Sequence, residues 1–166
     1  MKSVLISIQP KWCELIASGK KTVEVRKTKP KLETPFKCYI YCTDAKGRAF
    51  FTKGENGNYA PARMGNRKII GEFVCDRIRC EKEVADGLVD IVLGSTSCVS
   101  AGELVEYANG NVLYSWHITD LVIYDKPREL REFKRFVDRS KEQRYHEDML
   151  YLQRPPQSWC YVERRE

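Results

Sequence analysis

Within its first 26 residues this chain changes hydrophobic period twice, and that sets the kind of fold it can adopt. Val4 to Ile8 is an apolar, largely β-branched run of strand length. Pro10 then suits the first turn of a helix, where its missing N–H is not needed. Trp12, Leu15 and Ile16 recur at helical spacing, and Gly19 can close that short helix in the left-handed conformation. A second strand is expected from about Lys21. Strand side chains alternate, so Thr22, Glu24 and Arg26 share one face and Val23 and Val25 the other. Strand, helix and return strand thereby deliver Gln9, Lys21, Glu24 and Arg26 from neighbouring backbone. An all-helical chain has no place for this pattern; α+β does.

The rest continues in the same class. Residues 28–35 form a Lys- and Pro-rich connector. Phe36–Thr43 reads as a strand with Cys38, Ile40 and Cys42 on a core face. Tyr39, Tyr41 and Thr43 fall on the other face, which can wall a cleft. A turn-rich basic loop follows at about 44–68, with Arg48, Lys53, Arg63, Arg67 and Lys68 as candidate backbone clamps for a polyanion. Ile69–Cys80 is strongly β. Gly71 in it marks a bulge or a close backbone approach, and Glu72 is a candidate partner for Lys21 or Arg26. An interrupted helical insert is expected at about 81–110, with a capping box at Ser100 and Glu103 and a stop at Asn109–Gly110. Val112–Tyr124 is a long strand. Asp125 and Pro127 then predict a helix with Leu130, Phe133 and Val137 as its stripe. Ser158–Glu163 closes the chain as a strand with Trp159 and Tyr161 on one face. The length suits one domain over 1–166.

Charge is unevenly placed. Residues 1–79 hold 17 Lys and Arg against 7 Asp and Glu; residues 80–166 hold 12 against 16. Such asymmetry suits a one-sided surface for a polyanion. The seven cysteines include no C-x-x-C pair, so free thiols in a reducing compartment are expected, with no metal and no cofactor. His117 stands without a nearby nucleophile in sequence and reads as structural. No apolar run approaches the ~20 residues of a membrane span. No signal peptide is recognisable at the N-terminus, so a cytoplasmic location is expected.

Gly19-x-Lys21-x-x-Glu24-x-Arg26, preceded by Ile8-Gln9-Pro10-x-Trp12, resembles the signature of ASCH domains, a branch of the PUA-like superfamily. The resemblance implies a small mixed β-barrel with short flanking helices and a cleft lined by the motif. It also implies a role with RNA, single-stranded nucleic acid or a nucleoside-like ligand. The residues in hand fit such a cleft. Lys21 and Arg26 supply positive charge, and Glu24 is placed to pair with Arg26. Gln9 can read a base through both amide faces, with Thr43 beside the cleft wall. Trp12, Tyr41, Trp116 and Trp159 offer stacking platforms. The resemblance admits an enzyme as the alternative: an amidohydrolase on acylated cytidine nucleosides, or a ribonuclease. It would use Lys21 with Thr22, Glu24 and Glu72, although Glu24 stands where the amidohydrolase branch has a threonine. A third class is an adaptor that binds proteins through the 81–110 insert.

Overall fold

The computed structural model describes residues 1–54, 56–57, 60, 63–138 and 146–163. Every apolar run read as a strand forms one: β1 (Lys2–Ile8), β2 (Val23–Arg26), β3 (Phe36–Cys42), β4 (Lys68–Glu81), β5 (Leu113–Glu129) and β6 (Trp159–Glu163). Among the described residues three α-helices accompany them: α1 (Pro10–Ala17), α2 (Ile91–Ser97) and α3 (Ala101–Ala108). The strands pair in the order β2-β5-β4-β3-β1-β6. That order is open, with β2 and β6 at its two ends, so the expected barrel is not closed by strand pairing among the described residues. The α+β class itself stands. No described helix is long and apolar enough to cross a membrane.

By internal packing the chain forms two units, and β4 and β5 run through both. The first comprises residues 1–13, 37–73 and 122–166. In it β1 runs parallel to β3, Val4 opposite Cys38 and Ile8 opposite Cys42, and antiparallel to β6, Leu5 opposite Cys160. A strand with neighbours on both sides and covered faces needs a continuous apolar run, which Val4–Ile8 supplies. β3 is buried on both faces. Tyr39 packs edge-on against Phe133 with ring centroids 5.0 Å apart, and Tyr41 joins the same cluster with Leu5, Ile69, Leu130 and Val162. The tyrosine face expected to wall a cleft is therefore core. Gly71 is a close approach: a Cβ there would lie 2.3 Å from the Val122 carbonyl oxygen.

The helix expected from Pro127 does not form. β5 continues to Glu129, and a single 3-10 turn follows over Leu130–Glu132. Leu130 and Phe133 still reach the core, because a 3-10 turn also brings residues three apart onto one side. Positions 55, 58, 59, 61 and 62 of the predicted basic loop lie outside the described residues.

The second unit comprises residues 14–36 and 74–121. Its core joins Val25 of β2 and Leu113 of β5 to Val84, Leu93, Leu104 and Ala108 of the insert. The insert is helical as expected: a 3-10 turn at Glu83–Asp86, then α2 and α3. Asp90 caps α2 by accepting from the Val92 N–H. Ser100 and Glu103 form the predicted reciprocal capping box on α3, and Asn109 ends it in the left-handed conformation.

Candidate functional site

The motif lies in the second unit. Gly19 adopts φ +74° after α1, where its N–H bonds the Ile16 carbonyl; the Lys21 N–H reaches Leu15 O. The Thr22 N–H then bonds Thr96 O at the end of α2. These bonds aim β2 along β5 with Val23 opposite His117, Glu24 opposite Trp116, Val25 opposite Ser115 and Arg26 opposite Tyr114. One face of the β2–β5 pair thus carries Glu24, Arg26, Tyr114 and Trp116, and the other carries Val23, Val25, Ser115 and His117.

On the first face the three motif charges meet. Lys21 Nζ is 3.3 Å from Glu24 Oε2, and an Arg26 Nη is 3.0 Å from Glu24 Oε1. The lysine is 3% exposed and the glutamate 6%. Charges so far from water persist only when paired and hydrogen-bonded. The directed hydrogen bond of Lys21 goes to Ser97 O at 2.7 Å. Ser97 ends α2, whose last carbonyls lack helical partners and carry the negative end of the dipole. Lys21 therefore ties the motif strand to the end of that helix. Trp116, 0% exposed, packs edge-on against Phe36 with centroids 6.1 Å apart, so it is a core residue and not a stacking platform.

Just beyond Arg26 the chain carries cations over aromatic rings. Lys27 Nζ sits 5.0 Å from the Tyr107 ring centroid, and Lys29 Nζ 5.7 Å from that of Tyr114. Tyr107 is exposed and Tyr114 half-buried. The sequence alone places Lys29 in the Lys- and Pro-rich connector, whose lysines can touch phosphates, and singles out neither Lys27 nor the two tyrosines as ligand contacts. Only the strand register and the position of α3 bring the tyrosines beneath the lysines.

The opposite face of the pair opens on a hollow of about 140 Å³ lined by Thr22, Val23, Ser115 and His117, with Arg77 and Arg79 of β4. His117 Nδ1 lies 2.7 Å from Asp76 Oδ1, and this hydrogen bond holds the Asp76 carboxyl below its ordinary range. Ser115 donates to Glu81. The imidazole is thus braced by a carboxylate that sequence spacing did not single out. Among the described residues no three His, Cys, Asp or Glu side chains gather to hold a metal ion.

The remaining predicted residues belong to the first unit. Gln9 is exposed, and its carbonyl accepts the Trp12 and Cys13 N–H groups. Trp12 is half-buried under Lys11, whose Nζ is 4.3 Å from the ring. Thr43 is half-buried at the end of β3, its N–H donating to Ile8 O. Trp159 packs edge-on against Tyr161 at 5.4 Å. Tyr41 lies in the core, where burial pushes its phenol up. Glu72, expected to partner Lys21 or Arg26, is engaged instead by Lys37 and by the Tyr124 hydroxyl. Of the loop cations, Arg67 pairs with Asp44 and Lys68 with Glu129.

The family model for the ASCH domain matches residues 6–156. No curated protein matches the chain. Among solved structures, the ASCH protein from Zymomonas mobilis is 21% identical, with 97% of this chain and 87% of that one covered and a TM-score of 0.61. Two single-residue mutants of that protein give TM-scores of 0.58 at 20% and 18% identity, covering 98% and 97% of this chain and 91% and 88% of theirs. At these identities the likeness speaks for the fold.

Proposed function

The chain belongs to the ASCH domain family, and on that footing we propose that it binds RNA or single-stranded nucleic acid along the strip that follows the motif. The observation that carries this reading is the stacking of Lys27 over Tyr107 and Lys29 over Tyr114 beside Arg26. Binders of single strands combine the same two elements, a cationic track for phosphates and flat rings for bases. Both lysines belong to the basic first half of the chain, where 17 Lys and Arg stand against 7 Asp and Glu. The buried Lys21–Glu24–Arg26 cluster acts behind the strip and fixes the course of β2 into it. The hydrolase alternative has less support. The Lys21 ammonium is committed to Ser97 O and Glu24, and Glu72 is held by Lys37 and Tyr124.

The test is fluorescence anisotropy with labelled single-stranded RNA and DNA across a salt series. Wild-type affinity falls steeply with salt. Lys27→Ala and Lys29→Ala each flatten the log–log slope by about 0.7. Tyr107→Ala weakens binding by about fivefold or more, the lower end of what one stacked base contributes. Absence of binding at low salt, or affinity unmoved by all three substitutions, overturns the reading.

A further inference from the structure

The helical insert has a character opposite to the rest of the molecule. Residues 80–110 carry six carboxylates, Glu81, Glu83, Asp86, Asp90, Glu103 and Glu106, against one cation, Lys82. The remainder of the chain holds 28 Lys and Arg against 17 Asp and Glu. The same insert exposes large apolar side chains in a short span: Leu88 is 66% exposed, Ile91 88% and Val92 59%. Scattered single apolar residues are normal on a surface, but three within five positions are not scattered. Of the three, Leu88 lines a hollow of about 450 Å³, whose apolar floor it forms with Val84, Val89 and Leu93. Glu81, Glu83 and Asp90 line it as well, with Arg79 as its one cation. That volume lies in the range of sites that take a compact organic group. The hollow shares Arg79, Glu81, Asp90 and Leu93 with the smaller one beside His117, so the two adjoin at the start of α2, where the smaller one adds Arg77.

We infer that this larger hollow is a docking site for a basic polypeptide segment that seats one bulky apolar side chain in its 450 Å³. The apolar floor supplies the desolvated anchor pocket on which interface affinity usually concentrates. The carboxylates around it select lysines and arginines on either side of the anchor and repel phosphate. An isologous contact with a second copy is disfavoured, since it would set these carboxylates against one another. The ligand class therefore differs from that of the lysine–tyrosine strip, and the two sites can fail or succeed independently.

The test is selection of a displayed library of random peptides against the full-length protein. Enriched sequences are expected to carry a surplus of Lys and Arg around one Leu, Phe or Trp. A labelled copy of the best peptide should bind more weakly as salt rises and lose about tenfold in affinity on Leu88→Ser or Glu83→Lys. Both side chains are exposed, so thermal melts of the two variants should match wild type, and RNA binding should be unchanged by Leu88→Ser. Enrichment of acidic or neutral peptides, no enrichment at all, or affinity unmoved by Leu88→Ser overturns the inference. Self-association in sedimentation that Leu88→Ser abolishes also overturns it, assigning the face to a second copy.

Discussion

Replacing Glu24 with glutamine keeps the size of the side chain and removes a carboxylate that Lys21 and Arg26 share. Their contacts are 3.3 and 3.0 Å, and the three side chains are between 2% and 12% exposed, so water cannot substitute for the lost charge. Removing one member of a buried ion cluster costs about 3–5 kcal/mol, because the remaining charges stay buried and uncompensated. Domains have only about 5–15 kcal/mol in hand. With a urea m-value of about 2 kcal/mol per molar, the unfolding midpoint of Glu24→Gln should fall by about 1.5–2.5 M. Lys21→Met is the matched control. It removes a charge while Glu24 keeps Arg26, but it strips Ser97 O of its donor, so it should cost about 1–3 kcal/mol. Equilibrium urea unfolding followed by tryptophan fluorescence reads both, since Trp116 stands opposite Glu24. A Glu24→Gln midpoint within about 0.3 M of wild type, well below the cost of a broken buried pair, would refute the reasoning. The motif charges would then be solvated groups facing a ligand, not a brace.

Gly71→Ala should destabilise by about 1–3 kcal/mol, since its Cβ would sit 2.3 Å from a backbone oxygen that cannot turn aside; the urea midpoint checks it. Burial opposes ionisation of Glu72, but its hydrogen bonds from Lys37 and Tyr124 prevail and hold the carboxyl below its ordinary value of 4.5. Its stabilising contribution is therefore present above pH 4.5 and lost as pH falls through the depressed native value. Glu72→Gln should accordingly lose less stability than wild type on acidification, in parallel unfolding series at neutral and acid pH. Burial pushes the Cys75 thiol up to about 12, while Cys80 is exposed. Brief iodoacetamide treatment at mildly alkaline pH should label Cys80 and spare Cys75, as read by peptide mass mapping.

Local signals in this chain act over a few residues, and where local bonds decide the outcome they were legible. Pro10 and Gly19 bracket α1, Ser100 and Glu103 open α3, and Asn109 ends it, each through contacts within one turn. The spacing of Leu130 and Phe133 misled because three-residue periodicity suits a 3-10 turn as well as an α-helix, and the β5 ladder had already claimed the backbone to Glu129. Tyr39 and Tyr41 misled for a related reason. Alternation along β3 separates two faces, but it cannot say that both are covered.

The amino-acid sequence alone determined where the strands fall along the chain, the ends of α1 and α3 and the family signature, because these rest on φ preferences, caps and short-period patterning. Tertiary structure decided which charges are buried, that Lys21 spends its ammonium on the end of α2, and which rings lie under Lys27 and Lys29. Those outcomes join residues about 75–85 positions apart. Their energies depend on dielectric and distance, quantities that exist only once the chain has folded.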